Sequence, residues 1–70
     1  MLETMPISEK LKMLRDRRGL TLDELAEQTG LSRSALSNYE TNESKEVSQF
    51  ALVTLAKFYG VSTDYLLGLS

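Results

Sequence analysis

The side chains with the greatest capacity for specific contacts lie near the middle of the chain. Residues 33–41 are RSALSNYET, and on a helix the polar side chains fall on one outward face: Arg33, Ser34, Ser37, Asn38 and Thr41. Arginine can bridge O6 and N7 of guanine, and asparagine can pair with N6 and N7 of adenine. For any one of these residues alone, an ordinary solvated surface is the better explanation. As a set, behind the motif described below, they favour contact with base edges in the major groove of DNA.

Catalysis and metal binding have few candidate residues. The 70-residue chain contains no cysteine and no histidine, which removes thiolate ligands, disulfides, the commonest general base and the commonest metal ligand. Glu24 and Glu27 lie on one helix face, but nothing indicates that they are buried, and a solvated face is the ordinary explanation. We therefore predict no enzymatic activity, no cofactor and no metal site.

Two short helices joined by a tight turn must position the polar face. Thr21 can cap the first helix, and Glu24 three residues later completes a capping box. Gly30 ends that helix because glycine adopts a left-handed φ without strain, and Ser32 can cap a second helix over about residues 33–40. The inward positions are small or apolar: Leu25, Ala26, Leu31, Leu36 and Tyr39. This arrangement is typical of a helix-turn-helix.

Three more helices are predicted around this pair, and no strand signal is present. The first begins after Pro6 with a stripe of Ile7, Leu11 and Leu14. The fourth follows Ser48, and we expect these side chains to be buried: Leu52, Leu55, Ala56 and Tyr59, with Phe50 and Val53 widening the face. A short fifth helix follows Ser62. The sequence predicts an all-α fold, a compact five-helix bundle, with residues 1–5 as an N-terminal tail and 6–70 as a single domain.

These motifs together resemble the phage repressor/Cro-like (XRE-like) family of helix-turn-helix proteins, over about residues 7–67. The resemblance implies a lambda repressor-like DNA-binding domain whose third helix enters the major groove. It places base contacts on Arg33, Ser34, Ser37 and Asn38. It places phosphate contacts on Thr21, the backbone N–H of Leu22, Ser32, Thr41, Asn42 and Lys45. It also implies an ion pair between Arg15 and Glu40, which would tie the third helix to the first and direct Arg15 at the DNA backbone.

The function that this resemblance implies is sequence-specific transcriptional regulation through double-stranded DNA, with repression as the expected mode. A homodimer on a palindromic operator is expected, with half-site centres about 34 Å apart. Tyr65, Leu67 and Leu69 offer more apolar area than a short helix needs to bury, so we expect the dimer contact there, unless they simply complete the core. No stretch has the length of a membrane span or the pattern of a signal peptide, so the expected location is the cytoplasm.

Charge and two departures from the family pattern favour an alternative. The net charge is −2, whereas affinity for nucleic acid comes largely from neutralising phosphates. Basic residues are nevertheless clustered before the motif: Lys10, Lys12, Arg15, Arg17 and Arg18. Leu22 stands where the family commonly has glutamine, and Glu43 and Glu46 lie in a loop that is usually basic. The alternative is a protein-interaction module that keeps the helix-turn-helix fold without strong DNA binding.

Overall fold

The computed structural model describes residues 6–41 and 47–69, and within these ranges the chain forms helices and no strand. The helices are α1 (Ile7–Arg18), α2 (Leu22–Thr29), α3 (Arg33–Thr41), α4 (Gln49–Tyr59) and α5 (Thr63–Leu67). The predicted all-α architecture is therefore confirmed. The longest of them, α1, has 12 residues, and none of the described helices is long and apolar enough to cross a membrane.

The predicted helix ends are confirmed by their capping bonds. The Thr21 hydroxyl accepts a hydrogen bond from the Glu24 amide at 3.1 Å, and Glu24 Oε1 accepts one from the Thr21 amide at 2.9 Å. Ser32 Oγ accepts from the amide of Ala35 at 3.1 Å at the start of α3. At the end of α2, Gly30 has φ of 79°. A residue with a side chain would be strained in this left-handed conformation. These local signals fix where the two helices of the motif begin and end.

A single core joins all the helices. Its buried side chains are Leu11, Leu25, Leu36, Leu55, Ala56, Tyr59 and Leu66. Helix α3 packs against both α1 and α2, α4 packs against α5, and α1 also contacts α5. Truncating one such leucine to alanine costs about 2–5 kcal/mol, because the cavity closes only in part. The core therefore holds α3 by its inner face and leaves its polar face outside.

The expectation that Phe50 and Val53 widen the buried face of α4 is wrong. Phe50 is 72% exposed and Val53 is 37% exposed. Each helical residue advances by about 100°, which places both side chains opposite Leu55 on the wheel. Ala51, on the same side as Leu55, is buried in their place.

Lys10 is buried, although the sequence predicts only an apolar stripe on α1. Its ammonium group donates a hydrogen bond to the Tyr65 carbonyl at 2.6 Å and lies 4.8 Å from the centre of the Tyr65 ring. The long aliphatic part of lysine packs well against apolar neighbours while its charged end finds a polar partner. Lys10 thus holds the short α5 against α1.

Candidate nucleic-acid interface

The beginning of α2 offers a free backbone amide. Thr21 is exposed and caps the helix, while the Leu22 side chain is half-buried and packs against the core. Among the hydrogen bonds of residues 6–41 and 47–69, none uses the Leu22 amide. Free first-turn amides and the positive end of the helix dipole suit a phosphate group. The predicted phosphate positions Thr21 and Leu22 therefore lie together at one helix end.

The outer face of α3 carries the polar side chains that were predicted to contact bases. Ser34 and Asn38 are exposed, and Ser37 between them is half-buried. Thr41 is exposed, and its hydroxyl donates to the Ser37 carbonyl at 2.8 Å. Ser32, a predicted phosphate contact, is exposed and caps the helix with its side-chain oxygen. The structure thus brings these residues to one surface, with exposed side chains in both halves of α3.

An ion pair joins the beginnings of the two motif helices. Nε of Arg33, the first residue of α3, lies 2.8 Å from Oδ1 of Asp23 in the first turn of α2. The side chains are 60% and 78% exposed, so water and salt screen the pair. Sequence reasoning missed Asp23. The available signal was that a helix-turn-helix brings both helix beginnings to one side, where an acidic and a basic residue can meet.

A buried ion pair fixes the other end of α3. Arg15 donates through Nε and a terminal amino group to Glu40, with distances between 2.9 and 3.1 Å, and its other amino group donates to the Leu20 carbonyl at 2.8 Å. The side chains are only 14% and 4% exposed. The hydrogen bonds to Glu40 raise the pKa of Arg15 despite the opposing effect of burial. This pair connects α1 to the end of α3, as the resemblance implied.

The expectation that Arg15 also faces the DNA backbone is not met. All three nitrogens of its guanidinium group bind Glu40 or Leu20, and little of the side chain reaches the surface. Arg15 therefore acts on α3 from inside the protein.

Tyr59 lies in the same buried region. Its hydroxyl is buried and has no hydrogen-bond partner in the described part of the chain. Burial raises the pKa of Tyr59 to about 12, and the charge of Glu40 adds to this shift. A buried hydroxyl without a partner makes the deprotonated form unfavourable, because the anion would lose its hydration.

The basic cluster of α1 contributes fewer free cations than the sequence suggests. Three of its members bond to other groups of the protein: Lys10 in a buried position, Arg15 in a partly buried one, and Arg18 at the surface. The Arg18 guanidinium donates to the Phe58 carbonyl at 3.2 Å, and its central carbon lies 5.3 Å from the centre of the Phe58 ring. Lys12 and Arg17 are exposed on the outer face of α1. Within the described part of the chain, only Arg15 of this cluster is paired with an anion, Glu40, so its charge is compensated, whereas Lys12, Arg17 and Arg18 are exposed cations.

Two predicted phosphate contacts, Asn42 and Lys45, lie outside the described residues, as do Glu43 and Glu46 and the predicted tail over residues 1–5. Within the described ranges, no group of three acidic side chains is arranged to hold a metal ion.

The fold and the two-helix motif define a class of protein. A family described as Helix-turn-helix matches residues 11–66, and the chain belongs to this family. The resemblance found in the sequence is therefore confirmed, and the family is one of DNA-binding transcription regulators, not a class of enzymes.

Similar proteins from bacteria carry regulatory names. The chain is 44% identical over 62 residues to an uncharacterized HTH-type transcriptional regulator of Bacillus subtilis (strain 168), YobD, covering 89% of this chain and 54% of the relative. It is 39% identical to the HTH-type transcriptional regulator ImmR of the same organism, covering 91% and 50%. It is 38% identical to the HTH-type transcriptional activator BcrR of Enterococcus faecalis, covering 90% and 30%. The chain thus spans about half or less of the length of these relatives.

A solved structure shares the fold. The P22 c2 repressor protein, crystallised in complex with the synthetic operator 9T, superposes with a TM-score of 0.82 at 27% identity. The match covers 96% of this chain and 100% of the other. The described helices therefore have the arrangement of a repressor that was crystallised on DNA.

Proposed function

We propose that the protein is a sequence-specific DNA-binding transcriptional regulator that inserts α3 into the major groove. The observation that carries this proposal is the pairing of an exposed polar face on α3 with a buried Arg15–Glu40 bond behind it. A helix that presents polar side chains to base edges must be held rigidly from its other side. The regulatory names of the relatives and the operator complex of the structural neighbour support the proposal.

The proposed contacts divide into two groups. Base edges are contacted by Arg33, Ser34, Ser37 and Asn38, which can supply hydrogen bonds to guanine, adenine or bridging water. The second group contacts phosphates and consists of Thr21, the amide of Leu22, Ser32, Thr41, Asn42 and Lys45. The free amide at Leu22 supports the second group, since helix beginnings bind phosphate oxygen well.

We further propose that the protein binds a palindromic operator as a homodimer and represses transcription in the cytoplasm. One recognition helix offers little surface, and two-fold symmetry places two of them one turn of DNA apart. Leu67 is 50% exposed and Leu69 is 71% exposed, and this apolar surface at α5 supports a contact between two copies. Repression is in line with the structural neighbour, which is a repressor.

Binding selection on random duplexes with the full chain tests the proposal. An enriched sequence is expected, and Arg33→Ala and Asn38→Ala should each relax the preference at defined base pairs by about 1–3 kcal/mol. Affinity should fall linearly with the logarithm of the salt concentration, with a slope near −0.9 per phosphate neutralised. Absence of binding to any duplex at low ionic strength would exclude the regulator, and equal weakening on all sequences would exclude base contacts by these side chains.

A second candidate is a protein-interaction module with the same fold. The observation that favours it is the acidic surface of α2, where Asp23, Glu24 and Glu27 are all exposed. Such a surface suits a basic protein partner better than phosphates. The salt titration on DNA separates the two candidates, because a module of this kind would show no measurable duplex affinity to titrate.

A further inference from the structure

The Asp23–Arg33 pair links the two helices of the motif at the surface proposed to meet DNA. The closest contact, 2.8 Å, joins Oδ1 of Asp23 to Nε of Arg33. Among the hydrogen bonds of the described residues, none is donated by the Arg33 guanidinium, so the contact with Asp23 is an ion pair between neighbouring charges. The closest approach of the carboxylate is at Nε, and no described hydrogen bond occupies the two amino groups at the end of the side chain.

The exposure of this pair limits what it does for the fold. With side chains 60% and 78% exposed, the pair is screened by water and contributes little to stability. Its local effect is on the orientation of Arg33. An arginine at the first position of a helix meets the positive end of the helix dipole, which favours swinging the side chain away. Asp23 offsets that repulsion and keeps the guanidinium between the two helix beginnings.

Holding Arg33 in this way bears on base recognition. Two parallel hydrogen bonds to O6 and N7 of guanine require a planar fork in one orientation, and the amino groups at the end of the side chain can form it. A long side chain that is already oriented loses less conformational freedom when it binds. A free arginine next to DNA can instead bind phosphates, which gives affinity without sequence preference.

We propose that Asp23 is a positioning residue that directs Arg33 to a base edge and away from phosphate. This inference rests on the proposed function and deepens it, since it names a residue that sets specificity without touching a base. Its negative charge also lies beside the phosphate site at the beginning of α2, where it weakens contacts that carry no sequence information. Asp23 therefore raises discrimination between sequences and lowers affinity for arbitrary DNA.

The test measures affinity for the selected duplex and for the same duplex changed at the base pair that Arg33→Ala identifies. The unmodified chain is compared with Asp23→Asn, Arg33→Ala and the double variant. Glu27→Gln is the matched control, because Glu27 is an exposed acidic residue of the same helix with no contact to Arg33 in the described structure. If Asp23 acted only through its negative charge, Glu27→Gln would change the affinities for the two duplexes in the same way as Asp23→Asn.

We expect Asp23→Asn to lower discrimination at that base pair at least about fivefold, the lower end of what one arginine–guanine pair supplies. Its affinity for the changed duplex should stay the same or rise. Glu27→Gln should leave discrimination unchanged, and Asp23→Asn should change it no further once Arg33 is alanine.

Two results would overturn the inference while leaving the regulator intact. In one, Asp23→Asn strengthens binding to both duplexes equally, so that Asp23 only repels DNA. In the other, Arg33→Ala changes no base preference of a protein that otherwise selects a sequence. Failure of the proposed function itself would look different, because the unmodified chain would then bind no duplex.

Discussion

The two ion pairs seen in the described residues attach α3 to the rest of the protein in opposite ways. Arg15 and Glu40 are 14% and 4% exposed and share several hydrogen bonds at the end of the helix. Asp23 and Arg33 are 78% and 60% exposed, and their closest atoms lie 2.8 Å apart at its beginning. The same types of charge therefore have different roles, because burial decides how strongly each pair constrains its neighbours.

The buried pair sets the position of a whole helix. Removing one partner leaves a charge in a region of low dielectric constant, so the structure depends on both partners being present. The exposed pair constrains only one long side chain, because water can replace either partner at little cost. The buried pair thus holds the end of α3 as a whole, whereas at its beginning the exposed pair holds only the Arg33 side chain.

The largest expected effect is that of Glu40→Ala, which removes one partner of the buried Arg15–Glu40 ion pair. Loss of the carboxylate leaves Arg15 buried and unpaired, and we expect the free energy of unfolding to fall by about 3–5 kcal/mol, measured by urea denaturation. DNA affinity should fall with it, since α3 loses its support. Glu27→Ala, an exposed glutamate on α2, should change stability by less than about 0.5 kcal/mol. An unchanged melting temperature of Glu40→Ala would contradict the role given to this pair.

The next largest effect is a loss of stability at alkaline pH, and it is expected at Tyr59, which is buried near the Arg15–Glu40 pair. The pKa of Tyr59 is raised to about 12 in the folded protein, against 10.0 for an exposed tyrosine, so the unfolded state loses its proton first as the pH rises. The contribution of Tyr59 to stability is retained below pH 10 and is lost through the window from 10 to 12, with a loss of roughly 1 kcal/mol at pH 11. Denaturation curves at pH 9 and 11 measure this loss.

Tyr59→Phe is the control for that measurement, because it removes the titrating hydroxyl and keeps the ring. At neutral pH it should cost little or even stabilise the protein, since the hydroxyl has no hydrogen-bond partner among the described residues. An equal alkaline loss in both proteins would assign the titration to other groups.

A smaller effect is expected when the exposed pair is broken. Asp23→Asn should lower the free energy of unfolding by less than about 1 kcal/mol, including the lost interaction with the dipole of α2. The change should shrink further in high salt, because both side chains are solvated. A loss as large as that of Glu40→Ala would contradict the comparison, because the exposed pair would then contribute as much to stability as the buried pair.

A similarly small effect on the fold is expected at the exposed apolar side chains of α5. Leu67→Ser with Leu69→Ser should lower monomer stability by only about 1 kcal/mol, since Leu67 is 50% exposed and Leu69, just after the helix, is 71% exposed. The dissociation constant of the proposed homodimer should rise at least about tenfold, because a buried leucine contributes roughly 1.5–3 kcal/mol. Sedimentation velocity measures the populations of monomer and dimer.

Phe50→Ser is the matched control for the dimer contact, as Phe50 is equally exposed but lies on α4. It should leave association unchanged. If Phe50→Ser weakened the dimer and the two leucine substitutions did not, the contact would lie on α4 instead. If the unmodified protein stayed monomeric, the proposed dimer would be excluded.

Local signals predicted most of the fold. The capping residues Thr21, Ser32 and Ser62, and the helix end at Gly30, depend on neighbours within four positions, so the sequence alone identifies them. The burial of Leu11, Leu25 and Leu36 follows from helical spacing. The prediction for Phe50 is wrong because Phe50 is apolar and adjacent in sequence to a buried stripe, whereas its angle on the helix points outward.

The site was harder to predict because its geometry depends on residues distant in the sequence. The burial of Lys10 requires the carbonyl of Tyr65, 55 positions away, and no periodicity contains that information. The contact of Asp23 with Arg33 depends on the angle between two helices. The Arg15–Glu40 pair was expected only through the family resemblance. The base and phosphate contacts remain predictions, since their geometry is completed by the nucleic acid.

One guanidinium group, that of Arg15, bonds at the same time to the segment before α2 and to the end of α3. A genetic screen for lost regulation should therefore recover changes in α1, at a residue remote from the operator. Such alleles would differ from changes at the recognition surface, because the mutant protein would be cleared faster by cellular proteases and partly restored by growth at lower temperature.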